Sequence, residues 1–197
     1  MALKKSKAEI ATIDCNLITI AVGENEFGFD TSNSIEVEPQ IETEEAVKLV
    51  VKGILRAQKP EQSTITGNKI TLKDNVFNPE LVKVLQGGTI FYWTSAQKTE
   101  KGTVETEFGI AGYEPPKVGS SEKGSVFKLC AYTAQYDASG QIVQYEKITY
   151  PNCQGVPVAF GSEDGAFRAP EYTINSAPGN GEAPYLIDYV EDLPVLS

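Results

Sequence analysis

The chain has 197 residues, of which 41% are hydrophobic and 22% are charged, and its formal net charge is −10. This composition is typical of a globular protein that is long enough to bury a core, and it excludes an intrinsically disordered chain. The acidity argues against tight binding of nucleic acid, because such binding needs Lys and Arg to displace counterions from the phosphates.

Three features indicate where the protein is made. Cys15, Cys130 and Cys153 are odd in number and widely spaced, which argues against a disulfide framework or a zinc site and favours three small buried hydrophobes. Residues 1–9 (MALKKSKAE) are basic but lack the apolar stretch of a signal peptide, so we expect a mobile N-terminal arm. Without a run of 18 apolar residues, we expect no membrane span and a soluble protein made in a cytoplasm.

The first third of the chain predicts strands. Residues 10–22 alternate apolar and polar side chains and predict a strand, and residues 23–34 predict a turn-rich connection. Residues 35–45 carry five Glu against alternating apolar positions, which predicts a strand with one acidic face. Residues 46–57 fit a helical stripe and a strand almost equally, and the interior Gly53 together with the β-branched side chains favours the strand.

A hairpin is predicted around residues 67 and 68. Two alternating segments, 64–66 and 69–72, flank Gly67 and Asn68. Glycine at the first central position suits a type II′ turn, so these two residues are predicted to form a tight hairpin.

The clearest helix is predicted at residues 79–86. Asn78 can cap its N-terminus, Pro79 presets the first helical φ angle, and Gly87 ends the helix. We expect its apolar face to consist of Leu81, Val82 and Leu85.

The rest of the chain predicts further strands around a loop-rich region at residues 97–124. In total, eight to ten strands and one short helix predict a mainly β (α+β) fold, in which a two-sheet β-sandwich or partial barrel forms a single domain over residues 1–197. The remaining strands are expected at 89–93 (buried), 126–136, 141–149, 156–160, 172–174 and 185–189.

The sequence offers no credible catalytic constellation. It contains no histidine, which removes Ser-His-Asp and Cys-His systems and His-ligated metals. Two S-x-x-K matches, Ser95 to Lys98 and Ser120 to Lys123, lie in loop-like stretches where a Ser-Lys dyad needs a helix. No phosphate-binding glycine motif occurs, and the acidic clusters are best explained as solvated faces. We therefore expect no enzyme, no catalytic residue, no metal and no cofactor.

Two segments resemble the major tail (tail tube) proteins of tailed bacteriophages, in particular those infecting Gram-positive hosts. The first is TITGNKITLKDNVFNPELVKVLQGG, residues 64–88, and the second is KITYPNCQGVPVAFGSEDGAFRAPEYTINSAPGNGEAPYLIDYVEDLP, residues 147–194. Together they cover somewhat more than a third of the chain, and residues 97–124 lie outside the resemblance.

The resemblance implies a structural virion protein assembled in the host cytoplasm. Copies of the chain would form hexameric rings that stack into a hollow tail tube, with the tape measure, terminator and distal tail or baseplate proteins as further partners. The acidic charge would then suit a conduit through which DNA passes without being bound.

Stacked rings require an element that projects into the next ring. Our candidates are the segment 42–68 and the basic arm 1–9. The residues expected at such inter-ring contacts are Lys4, Lys5, Glu44, Glu45, Lys59, Gly67 and Asn68.

Two other functions are compatible with the sequence. A carbohydrate-binding or adhesin β-sandwich would use exposed aromatic residues. A possible source is a set of seven tyrosines, namely Tyr132, Tyr136, Tyr145, Tyr150, Tyr172, Tyr185 and Tyr189. Another ring-forming tail component, such as a tail terminator, would share the fold and the absence of catalytic residues.

Overall fold

The computed structural model describes residues 12–161, 164–165 and 168–196. In these residues the chain forms thirteen strands and one helix, which confirms the mainly β prediction. The elements are β1 (Thr12–Val22), β2 (Asn25–Phe29), β3 (Ser32–Glu44), β4 (Val47–Val51), β5 (Ile54–Lys59), β6 (Gln62–Asp74), α1 (Pro79–Gln86), β7 (Thr89–Trp93), β8 (Lys101–Gly102), β9 (Ile110–Glu114), β10 (Phe127–Tyr136), β11 (Ile142–Gly155), β12 (Glu171–Ser176) and β13 (Leu186–Val190).

Eight strands form one antiparallel sheet that curls into a partial barrel. Its order is β2-β1-β10-β11-β12-β6-β3, and β13 pairs with the part of β11 that β12 does not reach. The two end strands, β2 and β3, are consecutive in the chain and only Asp30 and Thr31 separate them. Because β1 also contacts β3, the sheet must bend until its two ends lie close together, as the predicted partial barrel requires.

The core lies inside this curve, and α1 packs into it. Alternate residues of the strands point inwards, and the buried face of α1 closes the interior. The fully buried core residues include Ile18, Ile20, Ile70, Leu72, Leu129, Tyr172 and Ile174 from the strands, and Leu81 and Val82 from the helix.

Helix α1 confirms the sequence prediction in its bounds, cap and buried face. The Asn78 side chain accepts hydrogen bonds from the backbone N–H groups of Glu80 (2.9 Å) and Leu81 (3.3 Å). At the other end Gly87, with φ of 83°, donates its N–H to the Lys83 carbonyl at 2.9 Å. An isolated helix of this length is unstable in water, so its packing against the sheet is what stabilises it.

Replacing Asn78 by Ala is expected to destabilise the fold by about 1 kcal/mol, because two N–H groups lose their acceptor. Urea unfolding followed by circular dichroism measures the change. Asn78→Asp, which keeps an acceptor at the same position, is the control and should remain within about 0.5 kcal/mol of wild type. Equal stability of the Ala and Asp variants would contradict a capping role.

Three local predictions were wrong. Strand β6 runs continuously through Gly67 and Asn68, so the predicted turn does not exist. The expected connection at 23–34 contains β2 and the beginning of β3. Residues 156–160, all within the described part of the chain, do not form a strand. Strand β11 instead extends beyond its predicted end at residue 149 as far as Gly155.

The ambiguous segment 46–57 forms strands, as predicted, but two of them. Lys52 and Gly53 connect β4 to β5 with φ angles of 52° and 79°. Positive φ at both central residues is the type I′ geometry that matches the twist of a hairpin. The tight turn therefore lies 14 residues before the predicted position of Gly67.

The segment 89–93 is a strand, as predicted, but only one of its residues is buried. Within β7 that residue is Ile90. Together with β8 and β9, β7 forms a separate three-stranded sheet, so part of the loop-rich region 97–124 is ordered as strands.

Two buried groups on β11 make the fold sensitive to alkali. Burial raises the pKa of Tyr150 and of Cys153 to about 12, from ordinary values of 10.0 and 9.0. Both are neutral in the folded core, so their contribution to stability is complete below pH 9.0 and is lost as the pH rises towards about 12. The melting temperature should fall across this range. Tyr150→Phe should reduce the fall, whereas Tyr189→Phe, at an exposed site, should not.

Candidate assembly surfaces

The most distinctive surface is a β-hairpin that extends beyond the body of the domain. Strand β6 pairs with β12 only from Asn68 to Lys73, whereas it pairs with β3 along its whole length. N-terminal to Asn68 the β3–β6 ribbon therefore continues alone, and β4 and β5 extend it. Among the described residues, β4 and β5 pair only with each other. We call β4, its turn and β5 (residues 47–59) the projecting hairpin.

The projecting hairpin is exposed along its whole length and carries many apolar side chains. Leu49 is 56% exposed and Ile54 is 55% exposed, values more typical of charged side chains than of aliphatic ones. At ~3.3 Å per residue, the length of the ribbon from Gly67 to its tip at Gly53 is at most about 45 Å. The other exposed apolar residues of the hairpin are Val47, Val50, Val51 and Leu55.

The strand register divides these side chains between two faces. Val51 pairs with Ile54, and Leu49 pairs with Ala57, so these four residues lie on one face together with Val47. The opposite face carries Lys48, Val50, Leu55 and Gln58. This face is thus aliphatic from Leu49 to the tip, and Lys59, which pairs with Val47, lies on it at the base.

Two of the predicted contact residues meet at the base of the projecting hairpin. Lys59 forms an ion pair with Glu44, and both side chains are more than half exposed. Nearby, the hydroxyls of Thr43 and Ser63 lie 3.1 Å apart. Exposed ion pairs contribute little to stability, so this pair orients the hairpin base more than it stabilises it. Glu45, in the connection to β4, is exposed.

Gly67 and Asn68 lie inside the main sheet and not at a projecting tip. Asn68 is 2% exposed and donates a hydrogen bond from its Nδ2 to the Pro184 carbonyl at 2.8 Å. A Cβ on Gly67 would lie 2.3 Å from the carbonyl oxygen of Ser176. These residues join β6 to β12 and to the C-terminal segment. Lys4, Lys5 and the rest of the arm 1–9 lie outside the described residues.

A second exposed surface runs along β13. This strand pairs with β11 from Tyr145 to Thr149, and in the described chain its other edge is unpaired. The outer edges of β2 and β3 are likewise unpaired among the described residues. An unpaired edge is a template for joining a strand from another molecule. The exposed apolar residues beside the β13 edge are Tyr185, Leu186, Ile187 and Tyr189.

Charge is distributed unevenly between the hairpin and the rest of the chain. Residues 46–59 contain four cations and no acid, although the whole chain has a net charge of −10. In the main sheet, cations instead pair with acids across strands, Lys69 with Glu38 and Lys73 with Glu171, each at 3.5 Å. The projecting hairpin is therefore a basic, apolar element on an acidic protein.

The candidate nucleophiles are the serines of the two S-x-x-K matches and the cysteines. The Ser95 hydroxyl lies 2.9 Å from that of Thr99, and the Ser120 hydroxyl accepts from the Glu122 backbone N–H at 3.0 Å. Burial raises the pKa of both Cys15 and Cys153, which disfavours the reactive thiolate. Among the described residues, no three His, Cys, Asp or Glu side chains cluster as metal ligands would. In the same part of the chain, no helix is long and apolar enough to cross a membrane.

Comparison with known proteins gives structural likenesses only. No protein-family model matches the chain, and no curated protein matches it. A chain from the sheath–tube complex of an extracellular contractile injection system (PVC, extended state) is 14% identical, with a TM-score of 0.39, and the match covers 93% of this chain and 94% of that one.

A chain from the baseplate of the anti-feeding prophage is 9% identical, with a TM-score of 0.32 and coverage of 96% and 98%. Both likenesses lie below 25% identity and below a TM-score of 0.5. The likenesses therefore concern the fold, and the function has to follow from the exposed surfaces described above.

Proposed function

We propose that this chain is the tube subunit of a phage tail. In this proposal six copies form a ring through their sheet edges, the rings stack through the projecting hairpin, and the resulting acidic tube conducts DNA during ejection. The protein acts as a structural component of the virion, is assembled in the host cytoplasm, and has no catalytic, membrane-binding or cofactor-binding role.

The projecting hairpin is the observation that carries the proposal. A two-stranded ribbon is at best marginally stable in water by itself, and one with an aliphatic face exposes surface that aggregates unless a partner covers it. In the described chain the hairpin has no covering element, and it reaches well beyond the domain body. Such an element is expected of a protein whose finished state is an assembly of copies.

The unpaired edges of the main sheet support the ring. A curled sheet whose ends do not pair leaves strand edges free, and edge-to-edge joining of identical subunits removes them by closing one larger barrel. Contacts between different surfaces of identical copies give a ring when the rotation closes. The exposed side chains along β13 place apolar surface beside one of these edges.

The acidity of the chain supports passage of DNA. A tube lined with Lys and Arg would bind the phosphates and stall the genome, whereas acidic side chains repel it within a Debye length of ~8 Å. The tape measure, terminator and distal tail or baseplate proteins would meet the tube along its length and at its ends.

Negative-stain electron microscopy of the purified chain tests the proposal. We expect rings and long hollow tubes whose abundance rises with protein concentration. Single rings that never stack would favour a terminator. A monodisperse monomer that binds glycans on an array would favour the adhesin alternative, and either result would overturn the tube assignment.

A further inference from the structure

A groove on the far side of the domain has the properties needed to receive the projecting hairpin. It has a volume of about 410 Å³ and lies between β1–β2, α1 and β7. We call it the β2–α1 groove. Its apolar walls include Ile20, Phe27, Phe29, Leu81, Val84 and Ile90.

Carboxylates outnumber cations by one among the charged side chains of the groove. Three carboxylates, Glu80, Glu105 and Glu122, line it together with two cations, Lys83 and Lys123. All five are exposed, and Glu122 is held in place because its Oε1 accepts the Gly88 N–H at 3.0 Å. An apolar floor beneath a rim with one more carboxylate than cations suits an apolar ligand that carries positive charge.

The projecting hairpin has the complementary character. Its tip carries the exposed aliphatic residues Val51 and Ile54 on either side of the turn. Its charged side chains are Lys48, Lys52, Arg56 and Lys59, and only Lys59 is paired with an acid in the described chain. Opposite charges on two surfaces of one molecule favour contacts between copies in a single orientation.

The hairpin and the groove lie at opposite ends of the main sheet. The register places Phe127, Cys153, Ser176 and Asn68 in one row across β10, β11, β12 and β6. The hairpin extends from this row in one direction, beyond Gly67. Two segments lie at this row or extend from it in the opposite direction: the β1–β2 turn and the segment that leads to Phe127. Both of them line the groove. A projection at one end and a cavity at the other give head-to-tail association, which continues indefinitely along one axis.

We therefore propose that the hairpin tip of one copy inserts into the β2–α1 groove of a copy in the next ring, with Lys52 and Arg56 facing Glu80 and Glu105. This inference rests on the proposed tube function and names the partner surface for stacking. The occupant is a second copy of this chain.

A charge-reversal experiment tests the pairing. The hairpin variant is K52E/R56E, the groove variant is E80K/E105K, and the third chain carries all four substitutions. Because like charges would face each other, each double variant should reduce the yield of tubes at least ~10-fold at fixed protein concentration, and the fourfold variant should recover most of the wild-type yield. Thermal melts of each chain check folding, and E80Q/E105Q, which adds no repulsive charge, should show a smaller loss than E80K/E105K.

Disulfide trapping tests the same contact by distance. In a Cys15→Ser background, Val51→Cys combined with Glu105→Cys should give a ladder of covalent oligomers on oxidation. Val51→Cys combined with Ser139→Cys, another exposed turn position, is the matched control and should give none.

The outcomes separate this inference from the proposal beneath it. If the wild-type chain forms tubes and the groove variant stacks normally, the groove assignment is overturned and the tube function stands. The same holds if the fourfold variant forms no more tubes than the double variants. Failure of the wild-type chain to form tubes would overturn both.

Discussion

Replacing residues 46–59 by a short Gly-Ser linker is expected to abolish tube formation while leaving the domain folded. The hairpin contributes no residue to the buried core, and the described β4 and β5 pair only with each other. Glu44 and Gln62 remain paired at the end of the ribbon, so a short linker can close it. The melting temperature should therefore stay close to that of wild type, and electron microscopy should show isolated rings or monomers.

The two faces of the hairpin provide a matched control for this deletion. Substituting the aliphatic face as L49S/V51S/I54S should reproduce the loss of tubes, whereas K48S/Q58S on the opposite face should reduce stacking far less. Size-exclusion chromatography at several concentrations separates assembled from unassembled protein. Tubes of normal length from the chain that lacks the hairpin would rule out the hairpin as the stacking element.

Gly155→Ala is expected to cause a large loss of stability. A Cβ at this position would lie 2.5 Å from both the Cα and the Cβ of Leu85, so α1 would have to move away from β11. Leu85 is 1% exposed, and its displacement would open the core. We expect a loss of roughly 3 kcal/mol in the free energy of unfolding, measured by urea denaturation.

Gly161→Ala is the matched control for that substitution. No atom lies within 4 Å of a Cβ built on Gly161, so the added methyl group should change stability by less than about 0.5 kcal/mol. A Gly155→Ala chain as stable as the control would show that α1 does not pack against β11 as closely as described.

These two expected results assign stability and assembly to different parts of the chain. The curled sheet and α1 bury the core residues, so changes there alter the free energy of unfolding. The projecting hairpin contributes no residue to the described core, so changes there alter association. A destabilised variant should lose tubes only when it unfolds, whereas a hairpin variant should lose them while fully folded.

Features set by near neighbours in the chain were predictable. The helix followed from an Asn cap, a proline at the first position and a glycine at the end, because each of these acts within a few residues. The strand periodicity of residues 10–22 and the hairpin between β10 and β11 were also local. The structure contains the hairpin, and it contains the strand from Thr12, where the described residues begin.

The turn assignment failed because two local signals competed and distant contacts decided between them. Gly-Asn at 67–68 is a good turn pair in isolation, yet Gly67 is needed where the chain passes the Ser176 carbonyl. Asn68 is fixed by the Pro184 carbonyl, more than a hundred residues away. The true turn, Lys52-Gly53, has a weaker local signal and was missed.

The sequence by itself determined the mainly β class, the short capped helix, the lack of histidine chemistry and the basic character of residues 46–59 within an acidic chain. Only the tertiary structure decided which strand edges stay unpaired, and it alone assembled the β2–α1 groove from segments between Ile20 and Ser125. The reason is physical: periodicity and caps act over one or two turns of chain, whereas an edge or a groove exists only once the curled sheet has brought distant segments together.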